Sequence, residues 1–200
     1  MIEGKGVMEN KTIWQLDPAH TTVEFAVKHM MFTTVRGRFR SFTGVVDIND
    51  RHPEQSRVEV TIDASSLDTG VAARDAHLRS ADFLDVEHHQ QITFRTTRVD
   101  GAYTDEGDRF TIVGELEIRG TRRPVTLNAT FGGRGTDPWG QRRVGFTAST
   151  DIDRRDWGLR WNQALETGGV LVANTVTIEI EAQAVELEQA EPQTVAAVVS

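Results

Sequence analysis

The residues best able to do chemistry in this chain fall in one short stretch: Asp68, Thr69 and Gly70, followed by Arg74, Asp75 and His77. A guanidinium, a carboxylate and an imidazole lie within one helical turn there, a set suited to fixing the anionic or oxygenated end of a ligand. The same residues also suit a plainer role, in which Arg74 and Asp75 make local salt bridges that anchor a helix. The histidines are the first suspects for a metal. On an unbroken strand His20 and His29 would point to opposite faces, about 30 Å apart at ~3.3 Å per residue. His88 and His89 are adjacent, with no third ligand at recognisable spacing. No Gly-x-Ser-x-Gly elbow exists, and no glycine-rich loop precedes a helix to cradle phosphate. Asp151 and Asp153 sit where a strand should end, and Gly132-Gly133-Arg134-Gly135 reads as a hairpin linker. The spacing therefore names no catalytic residue, metal ligand or cofactor.

The whole chain narrows the classes further. Its 200 residues suit one domain able to bury a core without covalent staples. It has no cysteine, which excludes disulfides, thiolate ligands and a cysteine nucleophile. The net charge is -8 and no basic cluster is dense enough to follow a phosphate backbone, so nucleic acid is not an expected partner. No stretch approaches the ~18–20 apolar residues of a membrane span. The opening MIEGKGVMENK lacks the apolar run of ~7–15 residues of a secretory signal, so the expected location is cytoplasmic. Met8 offers an alternative start.

The elements that must position these groups show a period of two, as expected for strands with one buried face. Val23, Phe25, Val27 and His29 share one side, and so do Val35, Gly37 and Phe39. Phe42, Gly44, Val46 and Ile48 continue in the opposite parity, which predicts a bulge near residues 40–41. Alternation returns over residues 58–62, 92–96, 110–118, 125–131, 144–148 and 176–180. With a short opening strand near residues 13–16, that makes roughly eight or nine strands joined by turn-like segments, hence antiparallel neighbours. Recurrent glycines within strands favour a barrel, with a filled sandwich as the alternative. Residues 70–84 turn helical, with Asp68 or Thr69 as N-cap and Ala73, Ala76, His77, Ala81 and Leu84 on one face. Residues 154–169, carrying Trp157 and Trp161, read as a functional or rim-covering loop. The predicted organisation is a flexible N-terminus over 1–11, one domain over 12–187 and a loose tail over 188–200.

Several blocks now make a resemblance visible. Trp14-Gln15-Leu16-Asp17-Pro18-Ala19-His20 opens them, and Phe25, Val27, His29-Met30, Val35, Gly37, Phe39, Phe42 and Gly44 follow. Asp68-Thr69-Gly70, Arg74-Asp75, His77-Leu78 and Asp82-Phe83 come next. Gly114, Leu116, Ile118-Arg119-Gly120-Thr121, Pro124-Val125, Arg154 and Trp157-Gly158 complete the series. Over about residues 13–186 the chain resembles the YceI-like family of bacterial lipocalin-like proteins, also described as polyisoprenoid-binding. The resemblance implies an all-β fold, an extended eight-stranded antiparallel lipocalin-like barrel with a short helix near one end. It implies amphiphilic ligands with long chains, such as polyprenyl phosphates or isoprenoid quinones, and no catalytic residues. The chain departs from the family at His89-Gln90, where an aromatic-proline pair is usual.

On that frame the expected ligand-binding residues are the inward Phe25, Val27, His29, Phe39, Phe42 and Phe94, with Leu116, Phe131 and Phe146. An eight-stranded barrel holds side chains or one slim ligand, with phenylalanines as walls and glycines making room. Arg74 and His77 are expected at the headgroup and Trp157 as a lid. The expected function is binding, storage or transport of an isoprenoid-type lipid, without enzymatic activity, and two barrels pairing as a homodimer is one possibility. A filled barrel serving as an interaction or stress-associated module is the alternative, and an enzyme using the barrel mouth is a third.

Overall fold

The computed structural model describes residues 11–164 and 170–187. The end segments read above as loose, apart from Lys11, and residues 165–169 of the long loop lie outside the described residues. The alternating runs form β1 (Lys11–Leu16), β2 (Thr22–His29), β3 (Thr33–Phe39), β4 (Phe42–Asn49), β5 (Arg57–Asp63) and β6 (Leu67–Asp68). After a short helix come β7 (Gln91–Asp100), β8 (Arg109–Ile118), β9 (Thr121–Thr136), β10 (Arg142–Asp153) and β11 (Val172–Glu186). Lys11 pairs with Asn49 at the start of the described residues.

Every strand pairing is antiparallel, and β1 pairs with β11 to close the sheet. Three staves are bent: β1 leads into β2, β3 into β4 and β5 into β6, so the eleven segments make a closed eight-stranded barrel. The change of phase at residues 40–41 is the break between β3 and β4, where the inward set passes from Phe39 to Phe42. Gly132 to Gly135 are not a linker. They continue β9 along β10, and the turn comes later, at residues 137–141. The inward rows form one core that includes Trp14, Ile48, Phe110, Leu127 and Val144. Each such side chain contributes ~1.5–3 kcal/mol by leaving water.

Two strand glycines, Gly37 and Gly114, do not leave room for a ligand. A Cβ on Gly37 would stand 2.3 Å from Cζ of Phe25, and one on Gly114 would stand 2.4 Å from Cζ of Phe94. Each glycine is covered by a phenylalanine from the neighbouring strand, so it lets that ring lie flat on the barrel wall.

The helix, α1 (Ala72–Arg79), is shorter than predicted and begins after Val71, which makes no side-chain cap. Its expected apolar face is also corrected. Ala73, Ala76 and Ala81 are exposed, whereas Asp75 is buried. The Asp75 carboxylate accepts the backbone N–H of Thr69 at 3.0 Å and the Thr69 hydroxyl at 2.5 Å. Two turns are too short for a periodic stripe to govern packing. Polar contacts set the rotation of the helix instead, this one together with Arg79 donating to the Ser65 carbonyl at 2.7 Å.

The β2–β3 hairpin closes through Met30 and Met31, with φ of 50° and 64°, and the Phe32 N–H donates to the His29 carbonyl at 3.2 Å. Both central residues being left-handed marks a type I′ turn, which ordinarily selects Asn-Gly. Side chains with a Cβ in that region cost about 1–2 kcal/mol each.

Candidate functional site

The barrel encloses a cavity of about 270 Å³ bounded by side chains from nearly every stave. From Val172 to Ala182 along β11, about ten steps at ~3.3 Å tilted by ~40°, the lining extends roughly 25 Å. Such a volume drawn over such a length is a slim channel, below the ~300–1,000 Å³ of compact small-molecule sites. Its walls are mostly Val, Leu, Ile and Phe, interrupted by Thr21, Glu24, Ser56, Tyr103, Thr150 and Arg154.

One end is sealed. Tyr103 packs on Phe110 at 4.8 Å and Phe131 packs on Phe146 at 5.5 Å, while the Tyr103 hydroxyl hydrogen-bonds Ser56. Below this aromatic layer the Arg134 guanidinium lies 5.9 Å from the Trp14 ring centre and 5.7 Å from that of Phe131. Its two terminal nitrogens grip both carboxylate oxygens of Asp50 at 2.9 and 2.5 Å, a fork across the barrel end. Burial pushes the Tyr103 phenol above its ordinary range, so it stays protonated.

The other end is built from α1, the segment after β10 and the β2–β3 hairpin. Leu78, Phe83 and Leu84 border the cavity there, with Leu159 and Arg154. The Arg154 side chain is buried; among the described residues its hydrogen bonds go to backbone carbonyls, while Asp153 acts on it through charge. Its Nε donates to the Ala173 carbonyl at 3.0 Å, and Nη1 to the carbonyls of Leu159 and Trp161 at 2.5 and 3.0 Å. Burial lowers its pKa from the ordinary value, but a guanidinium remains charged at neutral pH. Phe25, Val27, Phe39, Val172 and Val176 border the cavity at this side and are only half-buried, whereas Phe94, Leu116 and Leu127 on the far wall are buried. Half-buried lining also occurs elsewhere, at Val58, Val60 and Phe146. It is the closure of the opposite end by the Tyr103 layer and the Arg134–Asp50 fork that assigns the way in to β2, β3 and the start of β11.

This barrel has relatives. A profile described as YceI-like domain matches residues 14–184. Protein YceI of Salmonella newport (strain SL254) is 40% identical over 140 residues, 70% of this chain and 71% of the relative. The chain belongs to the YceI-like family. Two solved structures share the fold. BcnA of Burkholderia cenocepacia superposes with a TM-score of 0.72 at 23% identity, covering 84% of this chain and 98% of that one. A polyisoprenoid binding domain from Saccharophagus degradans, implicated in plant cell wall breakdown, gives 0.65 at 15% identity, covering 87% and 98%.

Within this YceI-like barrel, Phe25, Val27, Phe39, Phe94, Leu116 and Phe146 border the cavity. Phe42 and Phe131 are buried beside it in the core without bordering it. His29 ends β2 outside the lining. Arg74 and His77 lie outside the lining too. Arg74 donates from Nε to the Thr69 hydroxyl at 2.7 Å and from Nη2 to the Thr69 carbonyl at 2.9 Å. His77 bonds Asp82 at 2.9 Å and packs edge-on against Trp161 at 4.6 Å. Trp157 is 3% exposed and donates its indole N–H to the Leu116 carbonyl at 3.0 Å, which places it within the wall.

Sequence reasoning passed over two lining residues of consequence. Arg154 carried a usable signal: Val144, Phe146, Ala148, Thr150 and Ile152 alternate inward along β10, and Arg154 is the next position of that row. Tyr103 carried none, since it lies in a loop between β7 and β8 where periodicity does not apply.

Proposed function

We propose that this YceI-like chain binds one long, slim, isoprenoid-type lipid along the barrel axis and carries or stores it, without acting on it chemically. The observation that carries this reading is the narrow apolar channel, sealed at one end and bordered by half-buried side chains at the other. Each five-carbon unit withdrawn from water into such a channel is worth roughly 3–4 kcal/mol of transfer free energy before ordering costs. The polar groups that border the channel do not form a reactive set. Tyr103 is protonated and bonded to Ser56, and Arg154 is committed to backbone carbonyls. The naming of one fold relative as a polyisoprenoid binding domain agrees with this chemistry.

The polar end of the lipid lies toward Arg154, whose buried positive charge makes that end of the channel the favourable one for a phosphate or a polarised oxygen. Arg74 then acts on the ligand only by holding α1 in place. The test is a chain-length series of isoprenoid alcohols and phosphates titrated into delipidated protein. Affinity should rise at least tenfold per added unit until about four units, each of four chain bonds at ~1.5 Å, fill ~25 Å. Affinity independent of chain length, or a protein that yields no lipid on extraction and takes up none, sinks the reading in favour of a filled interaction barrel.

A further inference from the structure

We propose that the tip of the β2–β3 hairpin is a membrane-docking element that sets the open end of the barrel against a lipid bilayer. Met31 is 63% exposed and Phe32 80% exposed, with Met30 beside them at 37%. Bulky apolar side chains at a tip are ordinary only if something covers them. Here they also occupy a turn whose left-handed backbone disfavours them, where Asn-Gly would be both soluble and relaxed.

Position decides which surface covers them. The Met30 N–H donates to the Leu171 carbonyl at 2.8 Å, and His29 pairs with Val172. Val172 and Val27, one and two residues away from those contacts, border the channel. The tip therefore stands beside the open end, and the far end is closed by Trp14, Tyr103 and the Arg134–Asp50 fork. A ligand with a long apolar chain resides in a bilayer, so a tip that touches the bilayer places the mouth where the ligand is. Charge agrees with that occupant. Residues 26–40 contain Lys28, Arg36, Arg38 and Arg40 and no carboxylate; Arg36 is paired with Glu179, and Arg38 and Arg40 with Asp68, so Lys28 is the cation of this stretch that stands nearest the tip. A hairpin ending in Met-Met-Phe with Lys28 and His29 just behind the apolar tip suits an interface of lipid phosphates over acyl chains.

The test is co-sedimentation of the full chain with phosphatidylcholine vesicles, with and without phosphatidylglycerol. The variants are the double substitution Met31→Ser with Phe32→Ser, and Trp139→Ser at the opposite end, where Trp139 is 83% exposed. Wild type and Trp139→Ser should partition onto vesicles alike, and the double variant should partition about 30-fold less or weaker still. Binding of a soluble short-chain isoprenoid should be unchanged in the double variant, which keeps a failure of docking distinct from a failure of the proposed lipid function. Vesicle binding unchanged in the double variant, or lost in Trp139→Ser instead, overturns the proposal. So does a wild type that ignores vesicles, or one whose tip proves to mediate pairing of two copies in sedimentation velocity.

Discussion

Arg154 and Arg74 show how two arginines of similar promise in a sequence acquire different weight in a fold. Arg154 donates to carbonyls of Leu159, Trp161 and Ala173, and so ties the segment after β10 to the start of β11. Arg74 serves a single neighbouring residue, Thr69, and is half-buried. Removing a buried charged donor strands the acceptors it satisfied, at ~1–3 kcal/mol for each buried group left unpaired. Arg154→Met should therefore lower unfolding stability by about 3 kcal/mol or more, against about 1 kcal/mol for Arg74→Ala. Denaturant melts of the two variants decide this, and equal losses would mean that Arg154 has water or other donors to replace it.

Among the elements, the corner between β1 and β2 is held to the β9–β10 turn by one side chain. Arg143 donates to Asp17 and to Asp137, each at 2.7 Å, and Nη1 also reaches the Gln183 side chain at 2.8 Å. Arg143 first, and His20 second, hold the Asp17 carboxyl at about 2. Its ordinary value is 3.8, so the folded state favours the ionised form. The resulting stabilisation is complete above the unfolded value and is lost as pH falls through about 2. Arg143→Met should melt a few degrees lower at pH 7, and the gap to wild type should narrow as pH drops from about 4 toward 2. Thermal melts at stepped pH read this directly, and a gap that stays constant over that range would show that Arg143 acts through packing alone.

For the molecule as a whole, the channel distinguishes a binding barrel from a filled one. Ile112 borders it midway along β8. In a close-packed core, replacing isoleucine by a larger ring forces strain of about 1–3 kcal/mol. In a channel wall the added atoms enter space that a ligand would otherwise use. Ile112→Phe should thus leave stability within about 1 kcal/mol of wild type while abolishing uptake of long-chain isoprenoid. A strongly destabilised variant would show that the interior is already packed.

The sequence alone determined what repeats with a short period. Alternation along β2, β4, β8 and β10 marks the inward rows, and the break at residues 40–41 marks a bent stave, because a strand's two faces follow from its pleat. Of the residues expected at the ligand, Phe25, Val27, Phe39, Phe94, Leu116 and Phe146 border the cavity, and extending the β10 row by one position reaches Arg154. Only the tertiary structure decided the rest. Phe131 and Phe42 point inward yet do not border the channel, because neighbouring rings and not parity settle which side chains meet the open space. Arg74, Asp75 and His77, the cluster that looked most chemical, instead lock α1 to Thr69 and Asp82. Their chemistry is real but local, since a hydrogen bond takes whichever partner folding brings within about 3 Å.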